Sequence, residues 1–274
     1  MSELIHPTAI VDPGARLGQD VQIGPYAVLE AETEIGDGCV IEPFVQIKSW
    51  SSLGRNNHVH AHACLGGPPQ DLKYQGERSS LVIGDENCIR EYVTINRGTP
   101  EGGGVTSVGS HCYLMAYAHI AHDCKLGDRV VLANAATLAG HIHIQSDAVI
   151  GGLCAVHQFV HIGEYAYIGG MTGVAQDVPP FMLVAGERGW LHGLNQIGLK
   201  RHGFSQEQLA RLKQAFKLIW RSGLKQEQAL QRIQTEMGQC PEIQLLLEFI
   251  QQSERGVISP KNLSRGNSNN SCTP

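Results

Sequence analysis

His119, His122, Asp123, His141, His157 and Gln158 crowd into one stretch of the chain at regular spacing. His122, Gly140 and Gln158 follow one another at intervals of 18 residues, and Asp123 and His141 are separated by the same interval. Imidazoles change charge near neutrality and can take or give a proton. A carboxylate beside one imidazole, with an amide side chain nearby, suits a surface for binding and acid–base work. A polar exterior in a chain of 13 histidines would supply some of these residues anyway. It would not supply His, Asp and Gln on one strip.

A six-residue repeat is what would gather them. Val108, Leu114, Ile120, Leu126, Leu132, Leu138, Ile144, Ile150, Val156, Ile162, Ile168 and Val174 recur at every sixth position. Cys112, Cys124, Ala136, Ala148, Cys154, Ala166 and Thr172 hold the position four after such a leader, and Gly109, Gly127, Gly151, Gly163 and Gly169 follow directly after one. Neither a helix nor an ordinary strand has this period, which points to a parallel β-helix. The leader is expected to fill the interior, the small residue to let the chain turn, and glycine to tolerate the corner's backbone angles. Three hexads make one triangular coil of 18 residues, so residues 18 apart stack at the inter-strand spacing of ~4.8 Å. The strip then falls on one corner of three consecutive coils.

The repeat begins at once, with Ile5, Val11, Leu17, Ile23, Leu29, Ile35, Ile41, Ile47, Leu53, Val59 and Leu65, and returns at Ile83, Ile89 and Ile95. Two loops interrupt it, at about 66–82 and 96–107. Gln70, Asp71 and Lys73 form a polar triplet in the first, which is expected to leave from the corner that carries His122. The second is rich in glycine. It lacks the strand–helix setting of a phosphate cradle. The reading is therefore a β-helix over 1–189, an α-helical domain over 190–260 and a disordered tail over 261–274. Ser205 starts a helix with a capping box, Gly223 ends it, and further helices run from about Lys225 to Met237 and Pro241 to Glu254. Lys200, Arg201, Arg211, Lys213, Lys217, Arg221 and Lys225 face one acid, Glu207, across this region, a net +6 in a chain of net −5. That is either a solvated helix face or a docking surface for an acidic partner.

Only 17% of residues are charged, which argues against a nucleic-acid binder. The N-terminal residues lack the cationic and apolar regions of a signal peptide, and no apolar run is long enough to span a membrane. The eight cysteines include no Cys-x-x-Cys pair and read as reduced thiols of a cytoplasmic protein.

His119-Ile-Ala-His122-Asp123-Cys124, Asn134-Ala-Ala-Thr-Leu-Ala-Gly140-His141, Ala155-Val-His157-Gln158-Phe159 and Gly173-Val-Ala-Gln-Asp-Val-Pro-Pro, with Gln70-Asp71-Leu72-Lys73-Tyr74 and Gly198-Leu-Lys-Arg201, resemble the acyl-[acyl-carrier-protein]–UDP-N-acetylglucosamine O-acyltransferases. The likeness runs over roughly residues 5 to 257. It implies a mainly β fold, a left-handed parallel β-helix with a C-terminal α-helical domain, assembled as a homotrimer with sites between subunits. It also implies transfer of a 3-hydroxyacyl chain from acyl carrier protein to the 3-OH of UDP-N-acetylglucosamine, the first step of lipid A synthesis. No bound cofactor or metal is implied beyond the 4'-phosphopantetheine thioester of the donor. Carried over, His122 is the general base with Asp123 beside it, and the Gly140 amide is the oxyanion donor. Gln70, Asp71, Lys73, His119, His141, His157 and Gln158 hold sugar and diphosphate. Asn195, Arg201 and His202 belong to the nucleotide end, and Gly170 and Met171 to the acyl groove. Ile197 stands where the family has Glu, and His202 where it has a second Arg.

The chemistry agrees with that reading. A sugar hydroxyl needs a base, and a thioester oxyanion needs a fixed donor. The strip offers no nucleophilic Ser or Cys, since Cys124 is at an inward position, so direct transfer is favoured over an acyl-enzyme. Three imidazoles could instead hold zinc, as in β-helical carbonic anhydrases. Tyr117 stands where that arrangement needs a second ligand. A CoA-dependent acetyltransferase would share the fold and the catalytic His; a purely structural solenoid would show bland Thr or Ser columns.

Overall fold

The computed structural model describes residues 4–261. Twenty-five short parallel strands, from Ile10–Val11 to Gly173–Val174, wind into three sheets that form the faces of a prism, a left-handed parallel β-helix. The first face starts at Ile10–Val11, the second at Arg16–Leu17 and the third at Gln22–Ile23. Each strand pairs in parallel with the strand one coil away, as Ile120 does with Leu138 and Leu138 with Val156. The hexad leaders point inward: Ile120, Leu132, Leu138, Ile150 and Ile168 are completely buried.

Glycine does not make the corners. At most corners the residue three after the leader takes the left-handed backbone, and among these only Gly38 is glycine: φ is 65° at Tyr117, 61° at Asp123, 60° at His141 and 64° at Phe159. The strain is held in place because corner amides donate one coil back, as His141 N does to His122 O (3.0 Å) and Phe159 N to Gly140 O (3.2 Å). The glycines directly after the leaders serve close approach instead. A Cβ on Gly151 would lie 2.5 Å from Gly170 N and 2.7 Å from Ile168 O. Any side chain there pushes neighbouring coils apart.

Both expected interruptions are present. Cys64–Gly67 leads into the first loop and Ser80–Ile83 leaves it; the second joins Thr94–Asn96 to Val105–Val108, with a register shift where Cys64–Gly67 meets Thr94–Asn96. Leu65, Ile95 and Ile120 stack on the first face, so the first loop leaves from the corner that carries His122.

Met182–Ala185 adds one more parallel strand to the third face, and Trp190–Leu194 folds back antiparallel against it. The boundary expected between 189 and 190 falls inside this hairpin. Helices α1 (Gln196–Arg201), α2 (Gln206–Arg221), α3 (Gln226–Met237) and α4 (Pro241–Gln252) follow. The Ser205 hydroxyl accepts from Gln208 N, and the Gln208 side chain accepts from Ser205 N, the expected capping box. Buried Asp177 fastens the helices to the prism: Oδ1 accepts from His161 N (2.8 Å) and Oδ2 from the Ser253 hydroxyl (2.6 Å). The expected tail lies, from residue 262 on, outside the described residues.

Because backbone rather than a flexible side chain would meet it, the Cβ of Gly151→Ala should cost about 1–3 kcal/mol, read as a lower urea midpoint. Gly152→Ala, whose Cβ meets nothing nearer than Asn134 O at 3.2 Å, should cost clearly less.

Candidate active site

In a flat strand, neighbours in sequence point to opposite sides. The left-handed backbone at position 123 breaks that alternation, and two adjacent side chains meet: His122 Nδ1 lies 2.8 Å from Asp123 Oδ2. Asp123 is only 2% exposed. Its Oδ1 accepts from the Thr99 backbone amide (2.9 Å) and its Oδ2 from the Thr99 hydroxyl (2.7 Å). Its own amide donates to the Thr106 hydroxyl (2.8 Å). A charge-assisted network of this kind fixes a buried carboxylate and, through it, an imidazole.

Thr99 comes from the second loop and Thr106 from the strand Val105–Val108 that follows it; the sequence reading gave neither a part in the site. The glycines of that loop explain its composition. A Cβ at Gly102 would strike the Asp123 carboxylate, and one at Gly98 would come within 2.8 Å of Oδ1. Gly98 and Gly102 let the loop wrap the carboxylate closely, while Gly103 and Gly104 take positive φ of 94° and 80°. A glycine run one coil before a His-Asp pair was the available signal.

The stacked column of 122, 140 and 158 is as expected. The His122 ring lies over Gly140, where a Cβ would sit 2.6 Å from Cε1 and 2.8 Å from Nε2. In other coils the amide at this position is taken by a side chain one coil on, as Gln19 N is by Asp37 (2.7 Å) and Ser110 N by Asp128 (2.8 Å). The Gly140 amide has no such partner among the described residues. His141 stands edge-on to His122 (5.1 Å between centroids) and stacks on Phe159 (4.6 Å). Its Nε2 is 3.7 Å from Asp123 Oδ2.

Ligand atoms of His122, Asp123 and His141 lie within 4.8 Å of one another, close enough to hold a metal. The carboxylate oxygens are, however, already engaged by Thr99 and the His122 ring, which is the arrangement of an oriented base.

His119, on the first face, sits 2.7 Å from the Thr94 hydroxyl through Nδ1. His157 and Gln158 are exposed; the Arg255 guanidinium lies 3.3 Å from His157 Nδ1. His157, Gly173, Val174, Trp190 and Ile258 line a largely apolar groove of about 630 Å³. Asp71 and Lys73 of the first loop border a cleft with Thr99 and Glu101, while Gln70 is exposed beside them. Arg97 ties the two loops, donating to Gly66 O (2.9 Å) and to the Tyr74 hydroxyl (2.8 Å).

The remaining expected residues are elsewhere. Gly170 and Met171 lie on the corner after the third face, Gly170 against Gly152 and Met171 73% exposed. Asn195 caps α1: its Oδ1 accepts from Gly198 N (3.1 Å) and its Nδ2 donates to Tyr165 O (3.0 Å), at the corner after the second face. His202 is edge-on to Tyr165 (5.1 Å), Arg201 is exposed in the last turn of α1, and Ile197 is exposed on the same helix. The expected site thus occupies three corners of one prism, and a single chain does not bring them together. The +6 segment also loses a member, since Arg211 Nε donates to Glu242 Oε1 (2.7 Å) inside the helical domain.

Comparison with known proteins decides the family. The profile described as "Udp N-acetylglucosamine O-acyltransferase; Domain 2" matches residues 177–258, and the bacterial transferase hexapeptide profile matches 32–67 and 106–140. Acyl-[acyl-carrier-protein]–UDP-N-acetylglucosamine O-acyltransferases of Thermodesulfovibrio yellowstonii and Syntrophobacter fumaroxidans are 48% and 49% identical to the chain, over 92% and 93% of it and 98% and 99% of their own lengths. The chain belongs to this acyltransferase family. Among solved structures, the UDP-N-acetylglucosamine acyltransferase of Francisella novicida superposes with a TM-score of 0.92 at 36% identity, covering 95% of each chain. The UDP-N-acetylglucosamine O-acyltransferase of Moraxella catarrhalis does so at 0.90 and 39%, covering 93% of this chain and 99% of its own.

Burial holds the His119 imidazole below its ordinary range. The unfolded imidazole takes a proton near pH 6.5, and the folded one does so only at lower pH. The stability this contributes is complete above about pH 6.5 and is lost as pH falls through the folded value. In urea unfolding between about pH 7 and 5, His119→Gln should therefore lose stability with acid less steeply than the parent chain; equal slopes would remove this role.

Proposed function

We propose that the chain moves a 3-hydroxyacyl group from acyl carrier protein to the 3-OH of UDP-N-acetylglucosamine, the first step of lipid A synthesis, by direct transfer on His122. The observation that carries this reading is the oriented dyad: His122 bound to a buried Asp123, its ring lying over the Gly140 backbone.

With Nδ1 engaged by Asp123, Nε2 is the nitrogen free to act. It takes the proton of the sugar hydroxyl as that oxygen attacks the thioester carbon. The Gly140 N–H receives the developing oxyanion, and Asp123 steadies the imidazolium. Collapse of the tetrahedral adduct breaks the C–S bond, forms the ester and returns the proton to the pantetheine sulfur. No further cofactor enters. Thr99 is a positioning residue in this scheme, since it touches Asp123 rather than substrate. His119, His141, His157 and Gln158, with Asp71 and Lys73 from the first loop, hold the sugar and diphosphate.

We assign assembly as a homotrimer, with each site completed by a neighbouring chain. The support is that Gly170 and Met171, the acyl-groove residues, lie on a different corner from His122, and Asn195, Arg201 and His202 near a third. Leu72, fully exposed beside Asp71 and Lys73, fits a loop that reaches another subunit. No described helix is long and apolar enough to cross a membrane, and every described cysteine is free, which suits a cytoplasmic enzyme. Lys213, Lys217 and Arg221 recur every fourth residue on α2, all exposed, and form a basic stripe for the acidic carrier protein.

His122→Ala should lower kcat by about 10²–10⁴-fold with mass and fold unchanged, measured by product mass spectrometry with hydroxyacyl carrier protein and UDP-N-acetylglucosamine. Retention of more than about a tenth of kcat would move the base to His141 or His157. Thr99→Val should lower kcat far more than it raises KM, and Thr99→Ser should recover most of the loss. Paired Lys213→Glu and Lys217→Glu should raise KM for the carrier-bound donor, with the defect growing as salt is lowered; an unchanged KM would dismiss the stripe.

A further inference from the structure

The second cluster of imidazole and carboxylate groups lies far from His122, on the outside of the third face. Strand His58–Val59 sends Val59 into the prism and leaves His58 and His60 on the same outer side. Glu42 stands one coil away, stacked with His60 through the pairing of Ile41 with Val59. Its Oε1 lies 2.8 Å from His58 Nε2 and 2.9 Å from His60 Nδ1, and the two rings stack at 4.1 Å. Two imidazole nitrogens and one carboxylate oxygen thus converge on a point open to solvent.

We propose that Glu42, His58 and His60 form a binding site for a divalent transition-metal ion of the zinc class, separate from the acyl-transfer centre. Two His and one carboxylate are a common donor set for such ions, which keep their open positions for water. All three donor atoms lie within 4.8 Å of one another. Ligands at ordinary zinc distances sit roughly 3.4 Å apart in a tetrahedral site, so the two oxygen–nitrogen spacings need open by only about half an ångström.

The surroundings are those of a held ligand set. Ala61 N donates to Glu42 Oε2 (3.1 Å), which turns Oε1 toward the two rings. His60 Nε2 faces Cys88 Sγ at 3.6 Å, a second contact that fixes the ring. Arg90 is the nearby cation that could claim Glu42. It is forked instead onto Glu91, Nε to Oε2 and Nη2 to Oε1, both 2.9 Å. That pair cancels, and Glu42 is left as the negative charge facing the imidazoles. An ion here would join two successive coils of the prism's N-terminal half, as a structural staple does.

Metal-stripped protein titrated with Co²⁺ (visible absorption) and Zn²⁺ (calorimetry) tests this. The parent chain and His122→Ala should each take one ion, and Glu42→Gln and His58→Gln should bind at least tenfold more weakly. Both of these variants should keep the parent's circular dichroism and acyl transfer, since His58 is partly exposed and neither residue touches the dyad. Zn²⁺ at 100 times its Kd should raise the parent's melting temperature by roughly 5 °C or more, and that of Glu42→Gln much less. Absence of binding by the parent chain overturns the proposal. So does binding that survives in both Glu42→Gln and His58→Gln, or that is lost only in His122→Ala, which would put the ion at His122, Asp123 and His141.

Discussion

Everything in this protein depends on how the chain turns its corners. Most corners place a residue in the left-handed backbone, a conformation that costs an L-residue roughly 1–2 kcal/mol. The prism carries that cost along its whole length because each turn is bonded and stacked on the one before. Tyr26, Phe44, His62, Tyr92 and Tyr117 occupy successive corners after the third face, and their rings stack at 4.9–5.2 Å, the pitch of the coils. The same pitch converts a sequence interval into a column in space. It lays His122 over Gly140, and by breaking strand alternation at Asp123 it brings the side chains of two consecutive residues into contact.

A carboxylate at a corner can then serve either chemistry or architecture, depending on what comes to meet it. Asp123 and Asp177 both stand three after a leader of the first face, and both are 2% exposed. Asp123 meets an imidazole and the two donors of Thr99, and holds the His122 ring. Asp177 meets a backbone amide and the Ser253 hydroxyl, and anchors the helical domain. The interrupting loops matter in the same way. The second supplies the donors that fix Asp123, and Arg97 clasps the first to it, so two departures from the repeat make one wall beside the strip.

The sequence by itself determined whatever follows from a fixed period. Eighteen residues per coil is a geometric statement, and it settled the prism, the inward leaders, the column of 122, 140 and 158, and the corner from which the first loop leaves. The helices were legible too, because their ends are marked locally, by the capping box of Ser205, the positive φ of Gly223 and proline in the first turn at Pro241. The quoted motifs supplied the family.

What needed the tertiary structure was every relation not carried by the period. The corner backbone belongs to residues such as Tyr117, His141 and Phe159, which nothing in their side chains marks as left-handed; glycine was the expected choice, and it proved to serve contact between coils instead. Thr99 reaches Asp123 across a loop whose path no repeat dictates. Arg211, counted among the surface cations, is paired with Glu242 because α2 and α4 pack against each other. Glu42 meets His58 and His60 across an 18-residue interval that could have been counted, yet the shared oxygen depends on side-chain torsions and on one backbone amide. Periodicity fixes which residues are neighbours, and packing fixes which of their atoms meet.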